Sequence, residues 1–226
     1  MTVLQYEIRL CHSCGLRYPL TEGHPFGARC PSCLGETEVV RRELLTREVP
    51  REGDTLPEEI KLHVLLDNVR SAWNVGSIFR TADGFGFGHA YLCGITPTPE
   101  QADVRKTALG AEEFVTWSAH RNGLKQVLEL REAGWQILAL EKLKESIPIQ
   151  MVSEWITPGP SVLVVGNEVT GVDPEILAVA DRVVHIPMRG QKRSFNVAVA
   201  CAAAAAIIHT KLIDYPWWTI DEINQG

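Results

Sequence analysis

The chain has 226 residues, of which 45% are hydrophobic and 22% are charged, and its formal net charge at pH 7 is -6. This composition is that of a folded globular protein, and it argues against a disordered chain or a coiled coil. The negative charge argues against a protein that coats nucleic acid without specificity, since that task needs a strong positive field. No stretch has the pattern of a secretory signal or of an apolar membrane span. We therefore expect a soluble, cytoplasmic protein with no membrane partner.

Two cysteine pairs near the N-terminus have the spacing of a metal site. Two residues separate Cys11 from Cys14, fifteen residues follow, and two residues separate Cys30 from Cys33. Two intervening residues let a tight turn present both thiolates to one tetrahedral ion. Four thiolates leave no open position for a substrate, so we predict a structural zinc site, with an iron centre or reduced thiols as the alternatives. His12 is interpreted as a bystander.

Composition divides the chain into three parts. Residues 1–40 are rich in glycine and proline and poor in large apolar side chains, so we expect a zinc ribbon that does not fold without its metal. Residues 41–59 are charged and contain prolines and a glycine, which indicates a linker. The main domain is expected over residues 60–226. Its tail holds Trp217 and Trp218, whose apolar surface suits an interface or packing against the core.

Short apolar runs alternate with helical patterns in the main domain. Strands are predicted over residues 63–67, 90–94, 136–140, 161–165 and 182–186, and helices over residues 75–83, 124–133, 174–179 and 196–212. Asp173 before Pro174 is typical of a helix cap followed by proline in the first turn. The alanine run 202–206 favours a tightly packed helix. The alternation predicts an α/β fold, with a mostly parallel sheet that carries helices on both faces.

Three segments place polar residues and glycines at the ends of predicted strands. They are residues 65–82, 162–172 and 185–200. In open α/β sheets, ligands bind beyond the carboxyl ends of the strands, so we expect a polar cleft where these segments meet. The candidate residues of this cleft are Asn74, Arg80, Glu168, Ser194 and Asn196.

Each candidate residue also has a purely local interpretation. Asn74 and Ser194 could each cap a helix, and Glu168 could form a salt bridge with a neighbouring arginine. Asn74 and Arg80 lie six residues apart, which is about 1.7 helical turns and does not guarantee a common face. Spacing alone therefore predicts a polar cleft and leaves these local roles open.

The same three segments resemble the three motifs of the SPOUT superfamily, specifically those of the TrmH-like RNA ribose 2′-O-methyltransferases. Residues 106–111, with the sequence Lys-Thr-Ala-Leu-Gly-Ala, are similar to a further segment of that family. The match extends from about Leu62 to Ile208 and leaves out the ribbon, the linker and the tail. The resemblance implies a C-terminal trefoil knot, which is a rare exception to the rule that chains do not thread loops. It also implies a homodimer with the site near the subunit interface.

The resemblance assigns roles to individual residues. The catalytic positions of the family fall on Asn74, Arg80, Glu168, Ser194 and Asn196. S-adenosylmethionine would lie bent in the knot, held largely by the backbone around Leu140, Gly166, Ile186, Met188 and Phe195. The implied reaction moves a methyl group from this cofactor to a ribose 2′-hydroxyl of tRNA or rRNA. Val169 and Phe195 depart from residues common in the family, and either change could reshape the cofactor pocket.

The role of Arg80 must agree with its chemistry. A guanidinium group keeps its proton at neutral pH and does not serve as a free base. We therefore expect Arg80 to bind the phosphate beside the target ribose and to stabilise the developing alkoxide. Asn74, Ser194 and Asn196 would orient Arg80 and the knot, and Glu168 would position Asn74 or Arg80. Two other functions stay open, which are methylation of a base nitrogen by a SPOUT enzyme and a non-catalytic RNA-binding scaffold.

Overall fold

The computed structural model describes residues 4–21, 24, 27–45, 56, 60–154 and 159–212. The chain divides into two compact units, residues 1–54 and 55–226. Trp217 and Trp218 lie outside the described residues, as does most of the segment predicted as a linker.

The first unit is an antiparallel sheet of three strands. These are β1 (Leu4–Cys11), β2 (Arg17–Thr21) and β3 (Thr37–Leu45), in the spatial order β2-β1-β3. Among the described residues of this unit, only Arg9, Cys11 and Cys30 are buried. Because none of these is a large apolar side chain, hydrophobic burial contributes little to the stability of this sheet.

Strand β3 extends five residues into the segment that the sequence assigns to a linker. Arg42 lies opposite Glu7 of β1, and its Nε is 3.0 Å from Glu7 Oε1. Arg41 pairs with Glu43 along the same strand. Opposite charges on neighbouring strands favour sheet pairing, and composition does not distinguish such a strand from a charged linker.

The second unit contains a seven-stranded sheet in which all neighbouring strands are parallel. Its strands are β4 (Lys61–Asp67), β5 (His89–Cys93), β6 (Thr116–His120), β7 (Gln136–Leu140), β8 (Ile147–Pro148), β9 (Pro160–Val165) and β10 (Arg182–His185). The spatial order is β6-β5-β4-β9-β7-β10-β8. Strands β4 and β9 are therefore neighbours near the centre of the sheet, although they are far apart in the sequence.

Helices cover both faces of this sheet, as the alternating pattern predicts. They are α1 (Ala72–Gly84), α2 (Ala102–Ala108), α3 (Gly123–Glu132), α4 (Pro174–Val179) and α5 (Val197–Leu212), with short 3-10 helices at Ala111–Glu113 and Ile149–Glu154. Apolar side chains of α1, α2 and α5 pack on one face, and those of α3 and α4 pack on the other. The predicted mostly parallel α/β fold is confirmed. None of the described helices is long and apolar enough to cross a membrane.

The alanine-rich helix α5 is part of the core. Ala204 and Ala205 are fully buried, and Ile208 packs in the same cluster. Helix α5 lies against α1, and the small alanine side chains allow the two backbones to approach closely. The prediction of a tightly packed helix is confirmed.

Half-buried histidines lie on one face of strands β4 to β6. His63 Nδ1 is 3.1 Å from the hydroxyl of Tyr91, and its ring centroid is 4.1 Å from that of Trp135. Burial, together with the charges of His89 and Lys61, lowers the pKa of His63 to about 4. Burial also lowers the pKa of His89. The folded chain therefore favours neutral imidazoles on this face of the sheet.

We expect the free energy of unfolding of the second unit to decrease as the pH falls from about 6.5 to about 4. In this range the unfolded chain protonates His63 more readily than the folded chain does, so protons favour unfolding. At 1.36 kcal/mol per pH unit, His63 alone accounts for up to about 3 kcal/mol, and this contribution is fully present only above pH 6.5. Urea denaturation at pH 7, 6 and 5 measures the decrease.

The variant His63→Gln is the matched control for this pH dependence. Glutamine keeps a polar group near Tyr91 but does not titrate, so the variant should lose less stability than the wild type between pH 7 and pH 5. Equal losses in the two proteins would show that His63 does not carry the effect.

Candidate active site and metal centre

The three polar segments begin in β4, β9 and β10 and continue into the loops that follow these strands, and the first and third segments extend into α1 and α5. Strands β4 and β9 are paired in parallel, so their carboxyl ends lie at the same edge of the sheet. A hydrogen bond connects the loops that follow these two strands, since Asn167 Nδ2 donates to the carbonyl oxygen of Asn68 at 2.7 Å. Asn68 itself has a positive φ of 56°, a conformation that asparagine tolerates better than most residues. This contact places Glu168, the next residue, beside the start of α1.

Glu168 accepts three hydrogen bonds from the start of α1 and the loop before it. Its Oε2 accepts from the backbone N–H of Arg70 at 2.9 Å. Its Oε1 accepts from the backbone N–H of Ser71 at 3.0 Å and from Asn74 Nδ2 at 2.8 Å. Among the described residues Glu168 forms no salt bridge with an arginine side chain. The salt-bridge interpretation of Glu168 is therefore wrong.

These contacts determine the charge of Glu168. Burial raises the pKa of its carboxyl group, but hydrogen bonds from Arg70, its own backbone amide, Asn74 and Ser71 outweigh burial and hold the pKa below its ordinary value. The group is thus a carboxylate at neutral pH. A carboxylate in this position is a fixed acceptor and not a proton donor.

Asn74 connects the segments after β4, β9 and β10. Its Nδ2 donates to Glu168, and its Oδ1 accepts from Asn196 Nδ2 at 3.0 Å. Asn196 Oδ1 in turn accepts from the backbone N–H of Ala198 at 2.9 Å. Since each amide both donates and accepts, the network fixes the orientation of both side chains.

Neither Asn74 nor Ser194 caps a helix. Ser71 is the cap of α1, and its Oγ accepts from the backbone N–H of Asn74 at 3.4 Å. Asn196 fills the corresponding position at α5 through its bond to Ala198. The capping interpretations of Asn74 and Ser194 are wrong. A serine directly before a helical run is the signal that would have placed this start correctly.

Arg80 lies apart from the network of Glu168, Asn74 and Asn196. It is exposed on α1, and its side chain has no hydrogen-bond or ion-pair partner among the described residues. Asn74 is bonded to both Asn196 and Glu168, and none of the three has a hydrogen bond or ion pair with Arg80. The sequence leaves open whether Glu168 positions Asn74 or Arg80, and in the structure Glu168 contacts Asn74.

A cavity of about 290 Å³ opens beside the network. Residues at the ends of β7, β9 and β10 and at the start of α5 line it. They include all the residues proposed to hold the cofactor, which are Leu140, Gly166, Ile186, Met188 and Phe195. Glu168, Ser194 and Asn196 also line the cavity, whereas Arg80 does not. Val169 and Phe195 are both exposed at its wall.

Glycine is required at Gly166. A Cβ atom there would lie 2.2 Å from the backbone of Gly171 and Val172, so no larger residue fits without moving the chain. Glu141 also contacts this part of the backbone, because its Oε2 accepts from the N–H of Val172 at 3.2 Å.

Sequence reasoning missed several residues of the cavity wall. Glu141, Asn167 and His185 line the cavity. Glu141 directly follows β7, Asn167 follows β9 by two residues, and His185 ends β10. Their positions at the carboxyl ends of predicted strands are the signal that could have found them.

The four thiols of the first unit converge on one point. The Sγ atoms of Cys11, Cys14, Cys30 and Cys33 all lie within 4.8 Å of one another. The shorter separations are 3.4 Å, 3.6 Å and 3.5 Å. Zn–S bonds of about 2.3 Å in a tetrahedron give S···S distances of about 3.8 Å. The sulfur arrangement therefore fits a tetrahedral zinc ion.

The two cysteine pairs have matching backbone turns. The N–H of Gly15 donates to the carbonyl of Cys11 at 3.0 Å, and the N–H of Leu34 donates to the carbonyl of Cys30 at 2.9 Å. Gly15 and Leu34 have φ values of 71° and 60°. The left-handed residue that closes each turn lets both thiols of a pair point toward the same centre, and the second turn achieves this without glycine.

Comparison with known proteins identifies relatives of the second unit. A family model described as the SpoU rRNA Methylase family matches residues 61–206. The tRNA (guanosine(18)-2′-O)-methyltransferase of Aquifex aeolicus is 34% identical over 171 residues, which cover 72% of this chain and 75% of that protein. The 23S rRNA (guanosine(2553)-2′-O)-methyltransferase RlmP of Bacillus subtilis is 29% identical over 171 residues, with 76% of this chain and 66% of that protein covered.

Solved structures show the same relationship. The TrmH/SpoU tRNA modifying enzyme of A. aeolicus superposes with a TM-score of 0.59 and 32% identity, covering 67% of this chain and 75% of that chain. The AdoMet-bound rRNA methyltransferase of Sinorhizobium meliloti superposes with a TM-score of 0.62 and 28% identity, covering 71% of this chain and 60% of that chain. The family model extends from β4 into α5 and thus includes the whole hydrogen-bonded network and the cavity. The chain therefore belongs to the SpoU rRNA methylase family.

Proposed function

We propose that the chain transfers a methyl group from S-adenosylmethionine to a ribose 2′-hydroxyl of tRNA or rRNA. The observation that carries the proposal is the network in which Asn74 joins Glu168 to Asn196 at the wall of the cavity. The activities named for the A. aeolicus and B. subtilis relatives support the choice of a ribose hydroxyl in RNA.

The residues of the cavity fit the proposed cofactor. The apolar side chains of Leu140, Ile186 and Val197 suit the faces of an adenine ring, and the carboxylates of Glu141 and Glu168 suit a cationic group. When bound, S-adenosylmethionine would supply an electrophilic methyl group on a positively charged sulfur.

The residues of the chain would prepare the hydroxyl for this reaction. Glu168 holds the backbone amides of Arg70 and Ser71 and so fixes the start of α1. Arg80, on the same helix, has no carboxylate partner among the described residues and is available to bind the phosphate beside the target ribose. Its charge would stabilise the developing alkoxide while the hydroxyl proton passes to a neighbouring group or to water.

We also propose that the chain acts as a homodimer and that its C-terminal part forms a trefoil knot. Both properties come from the family resemblance. Because Arg80 does not line the cavity of its own chain, a site near a subunit interface would account for its position. Sedimentation equilibrium tests the dimer.

In the first unit we propose a structural zinc ion bound by Cys11, Cys14, Cys30 and Cys33. The support is the convergence of the four sulfurs at tetrahedral distances in a sheet that has little other core.

The experiment that tests the proposed reaction uses the full chain, S-adenosylmethionine and total RNA from a strain that lacks the protein. Modified RNA is digested and analysed by mass spectrometry and by alkaline cleavage. Ribose methylation blocks alkaline cleavage at the modified nucleotide, whereas methylation of a base nitrogen leaves the 2′-hydroxyl able to cleave. A protein that neither binds S-adenosylmethionine in calorimetry nor modifies RNA would be a scaffold.

The variant Glu168→Gln should lower kcat for methyl transfer between about tenfold and 100-fold, because a small displacement of positioned groups costs this much. Glutamine replaces one carboxylate oxygen with an NH₂ group that cannot accept, so it loses either the bond from Arg70 or the bonds from Ser71 and Asn74, and the start of α1 loses part of its support. Steady-state kinetics at saturating RNA measures the change.

Glu175→Gln is a matched control for this variant. Glu175 is an exposed carboxylate on α4 and has no contact with the network. It should keep wild-type kcat. Wild-type kcat in Glu168→Gln would show that the carboxylate does not position the site.

A further inference from the structure

One exposed side of α1 carries an aromatic ring and an arginine, and a lysine of α2 lies over the ring. Trp73, Ser77 and Arg80 are all exposed and are spaced by four and three residues, which places them along one side of the helix. Trp73 is 57% exposed. Lys106 of α2 lies over its indole ring, with Nζ 5.6 Å from the ring centroid. We call Trp73, Arg80 and Lys106 the α1 stripe.

Both cations of the α1 stripe lack a carboxylate partner among the described residues. Neither Arg80 nor Lys106 forms an ion pair with a carboxylate within the part of the chain that the structure describes. Ser77 adds no charge, and its hydroxyl donates to the carbonyl of Trp73 at 2.9 Å. A surface with an exposed aromatic ring and two cations without ion pairs is complementary to a polyanion that also has flat apolar groups. RNA has both features.

The α1 stripe is also anchored to the proposed active site. Trp73 directly precedes Asn74, whose side chain is bonded to Glu168 and Asn196. The first turn of α1 is therefore fixed, and Trp73 has a fixed backbone position next to the network. A group held by Trp73 would lie close to the nucleotide whose ribose reacts.

We propose that Trp73 stacks on an unpaired base of the RNA substrate, while Lys106 and Arg80 hold phosphates beside that base. This inference rests on the proposed function, since it assumes an RNA substrate bound at this site. Stacking on an aromatic ring tolerates every base, so Trp73 contributes affinity for an unstacked nucleotide and does not read the sequence. The substrate would thus present its target in a loop or another single-stranded region.

The charge of the α1 stripe favours RNA over a second copy of the chain. A second copy that covered Trp73 at a subunit interface would also have to supply anionic groups to Lys106 and Arg80, whereas RNA carries a phosphate at every nucleotide.

The test measures RNA affinity by filter binding with the full chain and an unmodified RNA substrate. Trp73→Ala should weaken RNA binding about tenfold or more, because each stacked base contributes this much to affinity. Trp73→Phe should restore binding to within about threefold of the wild type, since a phenyl ring also stacks. Calorimetric affinity for S-adenosylmethionine should be the same in both variants, since Trp73 does not line the cavity.

Two further variants separate stacking from general effects. Phe114→Ala removes an aromatic side chain that is 61% exposed and lies outside the α1 stripe, and it should leave RNA affinity unchanged. Lys106→Met should reduce the slope of log Kd against log salt by about one, as expected for the loss of one phosphate contact.

Wild-type RNA affinity in Trp73→Ala would overturn the inference. So would a loss of affinity accompanied by a lower oligomer mass in sedimentation, because Trp73 would then contact a second copy. If the wild type modifies no ribose but Trp73→Ala still weakens RNA binding, the proposed reaction fails and the stacking role stands.

Discussion

Arg80→Ala should lower kcat for ribose methylation by about 10³-fold or more, while S-adenosylmethionine binds with wild-type affinity. Removing an electrostatic contact to a transition state lowers kcat by about this factor, and removing a well-placed arginine has one of the larger effects. The cavity should persist because Arg80 does not line it. Helix α1 should persist because alanine has the highest helix propensity.

Two measurements on the same preparations test this result. Labelled methyl transfer at saturating RNA and cofactor gives kcat, and calorimetry gives the affinity for S-adenosylmethionine. Arg80→Lys should recover only part of the activity, since an ammonium group keeps the charge but loses the planar, bidentate geometry. Arg121→Ala, which removes an exposed arginine beyond β6, should behave as the wild type.

Two outcomes would contradict the role assigned to Arg80. Loss of cofactor binding in Arg80→Ala would mean that the residue supports the cavity and does not act on the RNA. Wild-type kcat would mean that another group stabilises the alkoxide.

Local sequence signals predict the centre of the fold well. Strand β7 and helix α4 have the predicted bounds, residues 136–140 and 174–179. In β7 the apolar run 137–140 follows shortly after Gly134, and in α4 the pair Asp173-Pro174 marks the start. Asp173 caps α4 by accepting from the backbone N–H of Glu175 at 2.8 Å. Each of these signals lies within a few residues of the element that it defines.

The edge of the sheet was not predicted. Strand β6 has the sequence Thr-Trp-Ser-Ala-His and lies at the sheet edge, where none of its side chains is fully buried. It therefore lacks the apolar run that marks a buried strand. Helix α2 has only seven residues, which is too short to establish a helical period.

The site was predicted as a set of residues but not as a set of contacts. The bond between Asn74 and Glu168 spans 94 residues, and the bond between Asn74 and Asn196 spans 122. The first bond depends on the adjacency of β4 and β9, and the second depends on the packing of α5 against α1. A single sequence reveals neither. Ser71 is different, because its capping role follows from its position immediately before a helix.

Cys14→Ser should release the metal and unfold the first unit while the second unit stays folded. Apparent binding free energies of structural zinc are about 10–16 kcal/mol at pH 7, and a serine hydroxyl does not replace a thiolate ligand. Among its described residues the first unit buries only Arg9, Cys11 and Cys30. These described residues form no apolar core that could replace the metal. Hydrogen exchange of the full chain, analysed by mass spectrometry, should show loss of protection in β1, β2 and β3.

The matched control for this prediction is His12→Ala, since His12 is exposed and adjoins Cys11 without joining the four-thiol cluster. It should keep one metal per chain in elemental analysis and wild-type protection in β1 to β3. Protected strands in metal-free Cys14→Ser would show that the first unit has another source of stability. Iron in the elemental analysis would change the identity of the ion, and the four cysteines would still bind a structural metal.

The cavity and its network lie wholly within the second unit. Calorimetric binding of S-adenosylmethionine should therefore survive the loss of the metal from Cys14→Ser. Loss of this binding would contradict the independence of the two units.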